Sequence, residues 1–77
     1  MPGPTNPLLH LQWGRQVDGA LRFLERLPKE PLPFGKSERW RLGVSAYYKR
    51  KVKEYLDNAP PGVEQEIKAF KQRLAKV

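Results

Sequence analysis

Tyr47-Tyr48-Lys49-Arg50-Lys51 interleaves two aromatic rings with three cations, a combination that can stack on bases and neutralise phosphates. The surroundings decide how much of it is free to do so. Trp40, Val44, Tyr48, Val52 and Tyr55 recur at steps of four, four, four and three residues, which puts them on one side of a helix as an apolar stripe. Arg39, Lys49, Arg50 and Lys53 then turn to its flanks and far side. One helix would thereby offer a core to its own chain and a cationic surface to something else. A basic helix back is equally an ordinary solvated face. Tyr48 belongs to the stripe, so Tyr47 alone would make a poor stacking surface. Trp13 and Trp40 read as core anchors first and interface hot spots second.

Catalytic chemistry finds little support. His10 is the only histidine and there is no cysteine, which leaves no His-pair zinc site and no base for a Ser-His or Cys-His pair. The carboxylates stand at helix ends or in ion-pair spacing, as Glu54 does one turn after Arg50, so no paired acid and base emerges. Gly35-Lys36-Ser37 resembles the end of a phosphate-binding loop but lacks the upstream glycine. We therefore expect no enzyme, no metal and no resident cofactor. Fifteen Lys and Arg against eight Asp and Glu give a formal net charge of +7, which favours an anionic partner: nucleic acid, an acidic protein or a membrane surface. No apolar run approaches the roughly 20 residues that span a bilayer. Pro2 to Gly14, interrupted by three prolines, lacks the basic start and continuous apolar segment of a secretory signal. The chain is expected to be soluble.

The elements that must position these residues are helical. Seventy-seven residues make one domain that buries only about 60–65% of its unfolded surface, and without cysteine the usual disulfide staple is missing. Residues 1–10, with Pro2, Gly3, Pro4 and Pro7, predict an extended arm, onto which Leu8, Leu9 and Leu11 add apolar weight. A first helix is predicted over about 11–27, where Trp13, Val17, Ala20, Leu24 and Leu27 form a seam. Gly14 and Gly19 weaken it, or mark close approach by a partner or ligand. Pro28, Pro31, Pro33 and Gly35 keep the linker irregular, with Leu32 and Phe34 expected to tuck onto the core. Ser37 is the candidate N-cap of a second helix over about 37–58, which Pro60-Pro61 closes. A third helix is predicted over about 61–76, with Val63, Ile67, Phe70, Leu74 and Val77 as its seam. The expected fold is all-α: a small three-helix antiparallel bundle over 11–77 with a Pro-rich N-terminal arm. Leu8, Leu21 and Phe23 fall off the main seam and suggest a second contact surface or a hollow for an apolar ligand.

Val17-Asp18-Gly19-Ala20-Leu21-Arg22-Phe23-Leu24-Glu25-Arg26 resembles the opening helix of the mitochondrial LYR-motif proteins, with Ala20-Leu21-Arg22 at the Leu-Tyr-Arg triplet. The arginine is kept and the tyrosine is not. Residues 48–58, a basic run ending in Tyr55, Asp57 and Asn58, are similar to that family's second helix. A third helix opened by proline and acidic residues, as at Pro61 to Glu66, also fits. The resemblance implies three antiparallel helices and an acyl carrier protein as partner. The acidic surface of that partner would meet Arg22, Lys49, Arg50 and Lys53, and the acyl chain on its phosphopantetheine arm would enter a hollow between the helices. It also implies the mitochondrial matrix, or the matrix face of the inner membrane, as location.

The expected function is that of a non-enzymatic, basic helical subunit or assembly adaptor of a larger mitochondrial complex: respiratory chain, ATP synthase or ribosome. Arg22, Arg39, Lys49, Arg50, Lys53, Trp13 and Tyr47 are the expected partner-binding residues. The alternative is a nucleic-acid-binding protein that sets the same cations on the phosphates of RNA or DNA.

Overall fold

Proline loses nothing at the first position of a helix, where its missing N–H would have had no partner, and α1, Pro7–Arg26, starts on one. The computed structural model describes residues 7–77. The helix begins four residues earlier than its seam suggested, so Leu8, Leu9 and His10 are helical and not part of an arm. Residues 1–6 of that arm lie outside the described residues. Pro28 ends α1 as expected, and the chain tightens into a 3₁₀ turn over Leu27–Lys29.

A linker leads to α2, Glu38–Asp57. Within it the Lys36 N–H donates to the Pro33 carbonyl at 3.0 Å, and Gly35 at φ 79° takes the left-handed position that such a turn requires. The turn throws Phe34 fully into solvent, while Leu32 is half-buried. Neither of the two side chains expected on the core is among those that pack against it. Ser37 is the N-cap residue with extended backbone, though its side chain makes no cap hydrogen bond. Arg41 clamps this start instead: its guanidinium donates to the Glu30 carbonyl at 2.8 Å and to the Glu38 carboxylate at 3.1 Å.

The last helix, α3, is Glu64–Ala75. It begins later than Pro61 because Gly62, at φ 89°, turns the chain in a conformation closed to helix. Glu64 and Glu66 occupy its first turn and Arg73 its last, as the helix dipole favours.

The contacts fix the directions. Trp13 meets Tyr55 and Phe23 meets Tyr48, so α2 runs antiparallel to α1. His10 lies near Gly62, Trp13 against Phe70, and Asp18 and Glu25 on Arg73, so α3 again runs alongside α1. The result is a small all-α bundle with its helices alternating up, down and up, and no strand among the described residues. No described helix is long and apolar enough to cross a membrane.

The core is unevenly shared. Every seam residue predicted for α1 is buried: Trp13, Val17, Ala20, Leu24 and Leu27. Leu21, expected off the seam, is fully enclosed beside them, because a central helix flanked by two neighbours needs a wider apolar face than one seam supplies. From α2 only Val52 and Leu56 are buried, and before α3 only Val63. Tyr48, Tyr55, Ile67, Phe70, Leu74 and Val77 pack against this core from its rim. Trp40 and Val44, in the first half of α2, are half-buried.

Candidate docking faces of the second helix

At 100° per residue, Arg39, Leu42, Lys49, Arg50 and Lys53 fall on one flank of α2. Arg39, Arg50 and Lys53 are exposed, Lys49 is half-buried, and Leu42 is 71% exposed. The ion pairs of the described residues lie elsewhere: Arg22 with Asp18, Arg26 with Glu30, Arg41 with Glu38, Lys51 with Glu54, and Arg73 with both Asp18 and Glu25. None involves Arg39, Lys49, Arg50 or Lys53. Toward α3 the flank continues to Lys71, which shares a small hollow with Lys53, Leu56, Asp57 and Leu74. Asp57, on the same flank, makes no ion pair among the described residues. The structure thus brings together four of the expected partner-binding residues.

It separates the other three. Arg22 pairs with Asp18 at 2.9 Å, and Asp18 also receives Arg73 of α3 at 2.8 Å. Arg22 therefore belongs to the seam between α1 and α3, whereas Lys53 belongs to the seam between α2 and α3. The third helix stands between them, and no single flat surface reaches both.

Trp13 is a correction of a different kind. Its indole is buried, lies edge-on to Phe70 with ring centroids 5.5 Å apart, and donates from Nε1 to the Tyr55 carbonyl at 2.7 Å. That carbonyl is one of the last of α2, where helical partners run out. Asn58 serves its neighbour, donating from both backbone N–H and side chain to the Glu54 carbonyl. Trp13 is thus a core residue that closes the end of α2.

Tyr47 is exposed as expected, but on the opposite flank from the cationic stripe. It lines a groove between α1 and α2 with Arg15, Gly19, Phe23, Arg26 and Lys51. Here Glu54 is the first cause of a raised Lys51 pKa, through its charge and then its hydrogen bond. Sequence reasoning singled out Gly19 and Phe23 of α1 but did not join them to Tyr47 in one groove. Gly19 and Phe23 carried the signal, one a bare helix position and the other an aromatic off the seam.

A hollow of about 460 Å³ at the far end of the bundle is lined by Leu24, Leu27, Pro28, Leu42 and Val77, with Lys29, Arg41 and Lys76 around it. Leu8, Leu21 and Phe23, which suggested a second contact surface or a hollow for an apolar ligand, do not line it; Phe23 lines the groove beside Tyr47 instead. Between α1 and α3, Arg73 grips Glu25 by a two-pronged contact of 3.0 and 2.8 Å and reaches Asp18 with its remaining nitrogen. The hydrogen bond from Arg73 holds the Glu25 carboxyl below its ordinary pKa, and the same contacts raise the pKa of Arg73. Comparison with protein-family models, with curated proteins and with solved structures found no match.

Proposed function

We propose that this protein is a non-enzymatic docking subunit or assembly adaptor, which joins a larger complex by laying the outer flank of α2 and the adjoining side of α3 on an acidic protein surface. The observation that carries the reading is the run of Arg39, Lys49, Arg50 and Lys53 without a carboxylate partner, continued by Lys71. Four like charges on one helix face are held together against their own repulsion. Folding gains nothing from that arrangement, and an oppositely charged partner does. Leu42, 71% exposed at the edge of the stripe, supplies apolar area at such a contact. The acyl-carrier version implied by the LYR resemblance needs Arg22 on the same surface; contact through α2 and α3 alone is the version this geometry supports.

The test is recovery of partners from a nuclease-treated mitochondrial extract, the LYR resemblance making that extract the first choice, with native mass spectrometry of what is retained. The wild-type chain should hold defined protein neighbours, and Arg39→Glu/Arg50→Glu should lose them without a change in helicity. Retention of the same neighbours by the variant overturns the reading. If the wild type retains material only before nuclease treatment, the stripe binds phosphates, and the nucleic-acid alternative replaces it.

A further inference from the structure

The groove between α1 and α2 lies on the side of α2 turned away from Lys53, and the docking reading makes no use of it. It encloses about 560 Å³, within the roughly 300–1,000 Å³ of small-ligand sites. One wall is aromatic. Phe23 and Tyr48 lie against each other with ring centroids 4.4 Å apart and planes inclined by 36°. Tyr47 abuts Tyr48 edge-on at 5.4 Å, so a braced pair supports a ring that is itself 48% exposed. The Lys51 ammonium stands 5.7 Å from the centre of the Tyr55 ring.

The lips are cationic. Arg15 and Arg26 project from α1 and Lys51 from α2, and no carboxylate lines the groove. Lys51 has Glu54 at 3.5 Å, Arg26 reaches Glu30 only at 3.9 Å, and Arg15 makes no ion pair among the described residues. Between Arg15 and Arg26 on α1, the exposed Gly19 leaves open space, where a Cβ would meet nothing within 4 Å.

An exposed tyrosine ring, cations spaced along the lips and no carboxylate in the lining describe a ligand that is planar, apolar on its faces and anionic along its edge. The geometry points to single-stranded nucleic acid: one base stacked on Tyr47 in the open space beside Gly19, and the flanking phosphates held by Arg15 and Arg26. A duplex has its base faces already stacked on each other and leaves Tyr47 without a partner. An acidic peptide satisfies the cations and leaves the rings idle. The site is independent of the stripe on the other flank, so either can fail alone.

The experiment is fluorescence anisotropy of a labelled twelve-residue oligothymidylate titrated with the full chain at low salt. Tyr47→Ala should weaken binding about tenfold, the loss of one stacked base. Gly19→Leu should weaken it at least as much by occupying the space the base would take, and because leucine is the better helix former its melting temperature should not fall. Both penalties should persist in an Arg39→Ala/Arg50→Ala background, which removes half of the four-cation stripe. Absence of binding, wild-type affinity in both groove variants, or equal competition by a duplex or by polyglutamate would each overturn the assignment.

Discussion

Trp13 shows how one side chain can be read correctly for burial and wrongly for purpose. The four-three seam marked it as a core position, and it is one. What the seam could not convey is the indole N–H, aimed at a carbonyl 42 residues away in sequence. Such a bond depends on the register of two helices, which no local pattern encodes. Trp13→Phe keeps an aromatic ring but removes the donor, leaving the Tyr55 carbonyl without its partner and a small void in the core. That should cost about 1–2 kcal/mol and lower the melting temperature by roughly 5–10 °C. A melt indistinguishable from wild type would mean that water takes the place of the indole. The same lesson applies at Arg22. Its arginine identity was legible, but its engagement by Asp18, itself shared with Arg73 of another helix, was not.

Among the elements, α1 was the most legible and α2 the least. A helix covered on two sides shows its apolar residues plainly, and the α1 seam is buried throughout. The stripe of α2 is sealed only in its second half, where Val52 and Leu56 meet α1 and α3. Its first half reads identically in sequence because periodicity records which side faces inward, not whether anything is there to cover it. Helix ends followed the same logic: Pro28 and Ser37 announced themselves, whereas Gly62 delayed α3 past a proline suited to start it. Between α1 and α3 an electrostatic clasp is added to the apolar packing, and this gives the joint a pH dependence. The pKa of Glu25 is lowered in the folded chain from an ordinary 4.5. Its contribution is therefore complete above pH 4.5 and is lost as pH falls through the depressed value. Glu25→Gln should accordingly be less stable than wild type at pH 6, and the gap between their urea midpoints should close below pH 4.5. A gap that widens on acidification would reverse the sign and exclude Arg73 as the cause.

For the molecule as a whole, the net charge of +7 was plain from composition, but its distribution required the fold. The acids are largely spent on neighbours: Asp18 and Glu25 on Arg73, Glu38 on Arg41, Glu54 on Lys51. The cations of the outer flank of α2 are left in excess, and at low ionic strength they repel one another across the bundle. Raising salt from about 0.01 M to about 0.15 M shortens the screening length from roughly 30 Å to roughly 8 Å and should raise the melting temperature by about 3 °C. A fall would mean that the exposed ion pairs, each worth about 0–1 kcal/mol, outweigh the repulsion. The turn at Pro33 to Lys36 has a structural consequence of its own. With Phe34 wholly outside and little of the linker engaged, the covalent thread between the first helix and the other two is not what keeps them together. Interlocked side chains do that, so the protein is in effect two pieces that recognise each other, joined by a strap that could be opened without undoing the fit.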